Sequence, residues 1–283
     1  ESMGTLYEGY FVITLTWYPP VLAQKRFVDL MFDDSQERLS QKAKNHQLIE
    51  EFKQSCRNFE SRMSSALDLE RLRSEQCIDN DGKTVTQDNL LRHLQFCVTG
   101  LNHPVNLPKN PVYLDALIGG QELTPGITPK VGRKFIQCVA IEGFPMESYP
   151  GILTLLTQLP VEYRWSSRFI FMDAHEAVAH FTKFRKKWKQ KVRGFFDQIF
   201  NTSSGVVDED ALSMVNDAQS AIAETNSGMV GQGYYTSVVV LMDEDRALVE
   251  KAALYIEKNI NALGFTARTE TINTMDAFMG SLP

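Results

Sequence analysis

Few residues of this chain have the types and spacing that chemistry needs, and most of them are misplaced for it. His175-Glu176 and His180 approach the H-E-x-x-H pattern that holds zinc on one helix face. The second histidine stands one residue too far along. At 3.6 residues per turn an i, i+5 pair points about 140° apart, so the two imidazoles cannot share a metal on a regular helix. Asp79-Asn80-Asp81-Gly82 resembles the opening of a calcium loop, but its glycine comes too early and Leu90 stands where a bidentate glutamate is needed. A polar turn is the better account. The sequence contains no G-x-x-x-x-G-K-[ST] phosphate cradle and no G-x-G-x-x-G after a strand. Gly228, Gly231 and Gly233 precede a strand instead of opening a helix, which makes them a connection and not a phosphate site. Cys56, Cys77, Cys97 and Cys138 are widely spaced with no C-x-x-C pair, and read as reduced, mostly buried thiols. These residues predict no catalytic, metal or cofactor site.

The distinctive local feature is a cluster of charge. Between Phe181 and Phe200, Lys183, Arg185, Lys186, Lys187, Lys189, Lys191 and Arg193 crowd around an apolar stripe. The stripe, Ala177, Phe181, Phe184, Trp188, Val192, Phe195 and Ile199, repeats at three and four, so one helix face is expected in a core and the other is strongly cationic. The cationic face has three readings: a solvated surface, a docking face for an acidic protein or an anionic membrane, or a nucleic-acid contact. Tyr163-Arg164-Trp165-Ser166-Ser167-Arg168 interleaves arginines with aromatics as base-stacking surfaces do. Strand alternation accounts for it more simply, with Tyr163 and Trp165 on one face and Arg164 on the other.

The elements that must position these residues read as α+β. The 283 residues carry a net charge of -6, which argues against a general nucleic-acid coat. No apolar run is long enough to span a bilayer, so the chain is expected to be soluble and cytoplasmic. Tyr10 to Trp17 reads as a strand, Ser35 to Met63 as a long amphipathic helix, and Leu67 to Leu72 as a second strand. Thr86 is expected to cap a short helix through Phe96. This front portion, 1–103, forms a β-α-β-α subdomain, and prolines at 104, 108 and 111 mark the boundary.

In the second subdomain, 104–283, strands are expected over Val112 to Ile118, Phe135 to Glu142, Val161 to Met172, Tyr234 to Met242 and Phe265 to Thr271. Helices are expected over Tyr149 to Thr157, Asp173 to Phe200, Val206 to Asn226 and Asp243 to Leu263, the last closed by Gly264, with a helical turn over Thr274 to Met279. The order implies two βαβ-type units with ferredoxin-like character and long amphipathic helices.

Several long strings resemble the conjugal transfer and type IV secretion ATPases of the TrbE, CagE and VirB family. They include Tyr113-Leu-Asp-Ala-Leu-Ile118, Ala140-Ile-Glu-Gly-Phe-Pro145, Ser148-Tyr-Pro-Gly-Ile-Leu153, Leu159-Pro-Val-Glu-Tyr-Arg-Trp-Ser166, Lys187-Trp-Lys-Gln-Lys-Val-Arg-Gly194, Gly233-Tyr-Tyr-Thr-Ser-Val-Val-Val240 and Met279-Gly-Ser-Leu-Pro283. The resemblance implies that Gly280 to Pro283 leads into a RecA-like ATPase domain, so that this chain is the non-catalytic part ahead of it and carries no cofactor, while the whole protein uses ATP and Mg. It further implies a hexameric motor at the cytoplasmic face of the bacterial inner membrane that energises pilus assembly and DNA or protein transport. The present part would dock that motor to inner-membrane channel subunits and help it oligomerise. The alternative is a domain that contacts the transferred nucleic acid.

Overall fold

In the computed structural model, which describes residues 11–17, 37–79, 81–145, 147–159, 161–199, 209–228 and 230–283, the charged front stretch folds as one long helix, α1 (Glu37–Met63). The described residues form two compact units, one built from residues up to Gly120 apart from Val98–Gly100, the other from Gln121–Leu282 with Val98–Gly100.

In the first unit, Phe11–Trp17 carry no strand; Trp17 instead sets its ring against Phe52 of α1, centroids 5.8 Å apart. The strand expected over Leu67 to Leu72 is also absent. Pairing begins later, with β1 (Ser74–Ile78) folding back antiparallel on β2 (Thr84–Asp88). The polar turn dictates this register. The Asp79 carboxylate accepts the backbone N–H groups of Asp81 at 3.0 Å and Lys83 at 2.8 Å, and Gly82 takes the left-handed φ of 76° that the reversal needs. Thr86 therefore lies within a strand and caps nothing. Asp88 takes that role for α2 (Asn89–Thr99), accepting the Leu91 N–H at 2.8 Å. β3 (Asn106–Leu107) completes a three-stranded antiparallel sheet. Val112 to Ile118, expected as a strand, holds a 3-10 turn at Leu114–Ala116, after which the buried Gln95 side chain accepts the Gly119 N–H at 2.6 Å.

The second unit holds β4 (Leu123–Thr124), β5 (Lys130–Val131), β6 (Lys134–Gly143), β7 (Tyr163–Phe171), α3 (Ala174–Ile199), α4 (Glu209–Ser227), β8 (Gly233–Asp243), α5 (Arg246–Ala262), β9 (Thr266–Thr269) and α6 (Thr274–Gly280). Its sheet runs β4-β5-β6-β8-β7, with β9 also on β6, and every pairing is antiparallel. The order β9-β6-β8-β7 is that of a ferredoxin-like split βαβ unit, as the element order implied. Its first crossover departs from the expected helix: Pro150-Gly151, with Gly151 at φ 85°, permits only a 3-10 helix over Thr154–Gln158.

Strand alternation divides the core in two. Val139, Ile141, Val239 and Leu241 face α5 and the crossover residue Leu156, packing on Val249, Ala253, Ile256 and Ile260. Ile136, Cys138 and Val240 face the other way, against Phe278 of α6. Asp245 caps α5 by accepting the Ala247 and Leu248 N–H groups, and Gly264 closes it at φ 86°.

Candidate docking surface

β7 and β8 are hairpin neighbours, yet the link between them is a pair of helices. The hairpin closes where the Met172 N–H donates to the Gln232 carbonyl at 2.9 Å, and α3 and α4 are inserted above that bond and pack on each other. With 26 residues, α3 is about 39 Å long. At its base Gly233 allows a close approach, because a Cβ there would stand 2.4 Å from the Ile170 carbonyl and 2.5 Å from the Phe169 ring. His180 meets the Tyr234 ring edge-on at 5.9 Å.

Helical register separates charge from oil on α3. With Lys186 as reference and 100° per residue, Lys183 and Lys189 lie within about 60°, while Phe184 and Trp188 lie about 160° away. Lys183, Lys186, Lys187 and Lys189 are exposed, and no ion pair holds any of them among the described residues. Arg185 is committed to the arm itself, donating to the Gln219 side chain on α4. Lys191 and Arg193 belong to α3, but their side chains lie outside the described residues.

The opposite stripe is less buried than its periodicity suggests. Ala177 is fully buried, but Phe184 is 42% exposed and Trp188 is half-buried, their rings in contact with centroids 6.0 Å apart. A helix with one partner helix can cover only part of a wide apolar face, and α4 supplies that cover at Ala218 and Thr225 while leaving Met214 exposed.

The other sequence candidates resolve as follows. His175 and His180 are both exposed, and no cluster of three or more metal-ligating side chains exists among the described residues. Cys97 and Cys138 are buried, Cys56 and Cys77 half-buried, and all four are free thiols. Burial pushes the Cys138 thiol up to about 12. Tyr163 and Trp165 pack on the core while Arg164 points to the other face, as alternation requires.

Arg164 has a partner that no sequence pattern announces. It donates to the Ser281 carbonyl at 2.7 Å and to the Ser281 hydroxyl at 2.8 Å. Ser166 adds a bond to the same carbonyl at 2.9 Å, and Arg168 donates to the Leu282 carbonyl. The contacts span more than a hundred residues, beyond the reach of any local pattern. Residues 281–282 are thus held on the sheet by three side chains of β7.

A further cationic hollow of about 400 Å³ lies in the first unit beside α1, lined by Phe52, Lys53, Arg57, Glu60, Arg71 and Arg73. Arg71 grips both Glu60 oxygens, and that hydrogen bond holds the Glu60 carboxyl below its usual range.

No described helix is long and apolar enough to cross a membrane. Residues 79–283 match the model of the CagE, TrbE, VirB family, a component of type IV transporter systems. The chain is 42% identical over 278 residues to the conjugal transfer protein TrbE of Rhizobium radiobacter, covering 98% of this chain and 34% of that protein. It is 47% identical over 233 residues to a probable conjugal transfer protein TrbE of Sinorhizobium fredii (strain NBRC 101917 / NGR234), covering 82% of this chain and 35% of that protein. The chain therefore spans about a third of the length of the curated relatives it matches. On a family match over most of its length and on these identities, the chain belongs to the CagE, TrbE, VirB family of type IV transporter components.

Proposed function

We propose that this chain is a non-catalytic docking and assembly portion of a conjugative type IV secretion ATPase. It attaches the cytoplasmic motor to inner-membrane channel components and supports oligomerisation, while the whole protein binds ATP and Mg and energises pilus assembly and transport. The observation that carries the docking role is the arm: two long helices replace a hairpin turn and present Lys183, Lys186, Lys187 and Lys189 exposed and without ion pairs among the described residues. On a chain of net charge -6 such a face is a local attractor for anions, and the anionic lipid around an inner-membrane complex is one, worth about 1 kcal/mol per lysine near the surface. The test is flotation with anionic vesicles of wild type beside a Lys186→Glu/Lys187→Glu/Lys189→Glu variant. Wild type floats and the variant stays behind. Equal flotation of the two refutes a docking role for this face.

The second reading, a nucleic-acid contact, rests on the same lysines. It predicts that single-stranded DNA, and not vesicles, retains wild type, with affinity falling steeply as salt rises.

A further inference from the structure

β7 ends the sheet, and its outer side carries no strand among the described residues. Its nine residues pair with β8 in unbroken register, without a bulge, a proline or a lysine, and so lack the usual devices that keep an edge strand from recruiting another chain. Phe169, Ile170 and Phe171 on this strand are 42%, 55% and 76% exposed. The two arginines are turned onto the chain's own residues 281–282. A long, bulge-free apolar edge of this kind is a template for strand addition.

The sequence of the edge names the strand it fits. Tyr-Arg-Trp-Ser-Ser-Arg-Phe-Ile-Phe reads nearly the same in both directions about Ser167. Two antiparallel copies related by a two-fold axis through Ser167 place Trp165 opposite Phe169 and Tyr163 opposite Phe171, aromatic against aromatic on one face. On the other face Arg168 meets Ser166 and Arg164 meets Ile170. Such an axis, normal to the sheet, keeps each face on its own side, so only even shifts of register are allowed. Moving the centre to residue 166 sets Arg164 against Arg168, and moving it to 168 sets Arg168 against itself; like charges directly opposite destabilise a pair, whereas aromatic pairs stabilise it. Centring on Trp165 leaves Phe169 and Phe171 without partners.

We infer that β7 is a self-complementary edge through which two copies of this chain join, antiparallel about Ser167, into one continuous sheet. The pairing deepens the assembly half of the proposed function and rests on it, and it is independent of the lysines of the arm. Flotation reads the arm and cross-linking reads the edge, so either can fail while the other stands.

The experiment is sedimentation of the wild-type chain from micromolar to hundreds of micromolar concentration, with site-directed cross-linking in a background lacking Cys56 and Cys77. Directly opposite Cα atoms lie about 4.5 to 5.5 Å apart, inside the span a disulfide bridges. Ser167→Cys should therefore cross-link to itself under mild oxidation. Ile170→Cys should do so slower by on the order of tenfold or more, because the two copies of residue 170 stand about 20 Å apart in this register. Ser167→Lys and Ser167→Glu should each weaken the dimer, and their equimolar mixture should restore it; the exposure of Ser167 makes both folding-neutral, which wild-type-like tryptophan fluorescence checks. A chain that stays monomeric throughout, Ile170→Cys cross-linking as fast as Ser167→Cys, or a charge mixture that restores nothing overturns the inference. A monomer that binds a free peptide of β7 sequence or another extended peptide also overturns it, and gives the edge to a different protein.

Discussion

Removing the Arg164 guanidinium should loosen residues 281–282 without disturbing the sheet. Arg164→Ala deletes two charge-assisted hydrogen bonds at 2.7 and 2.8 Å, in a place where Ser281 is only 3% exposed. A hydrogen bond to a charged group contributes about 1.5 to 3 kcal/mol, but the Ser281 carbonyl retains the Ser166 hydroxyl at 2.9 Å, so its desolvation is only partly uncompensated. The expected loss is about 2 kcal/mol. Arg164→Ala/Ser166→Ala strips the carbonyl of both donors and should cost about 3 to 4 kcal/mol, more than the sum of the separate losses, because the second deletion leaves a buried acceptor unsatisfied. For a unit of this size each kcal/mol lowers Tm by about 2 to 4 °C, so the single variant should melt about 4 to 8 °C lower. Urea denaturation measures the energies, and amide exchange locates them: protection should fall over residues 274–283 and remain at Val139 and Val239 in the sheet centre. A single variant within about 0.5 kcal/mol of wild type, the range of an ordinary surface change, with unaltered exchange in 274–283, refutes the reasoning.

Other expectations follow from the same packing. Phe278→Ala removes the fully buried ring of α6 from Val131, Ile136, Cys138 and Val240 and should cost about 3 to 5 kcal/mol in urea denaturation. Phe184→Ala should cost clearly less than that, since its ring is 42% exposed. Asp245→Ala takes away the cap of α5 and should cost about 1 kcal/mol, read as lower thermal stability. Cys138, with its thiol raised from 9.0 to about 12 by burial, stays protonated in the native state while the unfolded thiol ionises. The unfolded chain then binds fewer protons, so this contribution is complete below pH 9 and is lost as pH rises from there toward 12. Cys138→Ala should lessen the fall in stability with pH over that window, as pH-dependent denaturation of the two proteins side by side will show.

What the sequence revealed and what it hid divide along the range of the interactions. The apolar runs at Lys134–Gly143 and Gly233–Asp243, the α5 amphipathic pattern and Gly264 are local signals, and they led to a ferredoxin-like order that the pairing bears out. Where two local signals competed, the nearer hydrogen bond decided. Asp79 nucleated a hairpin that drew Thr86 into a strand, and Asp88 then became the cap. Leu67 and Leu72 alternate as a strand would, but both are exposed at 40% and 41% and nothing pairs with them among the described strands. Periodicity located the apolar stripe of α3 correctly but overstated its burial, because the pattern records which face is apolar and not how many partners cover it. The grip of β7 on Ser281, and the palindrome of its outer edge, depend on strand order and were invisible until the sheet was assembled.

The central claim, that the lysine face of the arm docks this portion at an anionic membrane, is tested most directly by one titration. Binding of the wild-type chain to anionic vesicles, neutral vesicles and single-stranded DNA is measured at low and physiological salt. Docking predicts retention by anionic vesicles alone, with Lys186→Gln/Lys187→Gln/Lys189→Gln weakening it by about 3 kcal/mol, on the order of a hundredfold. Retention by DNA alone, falling steeply with salt and lost in the same variant, contradicts the claim and makes the arm a nucleic-acid contact.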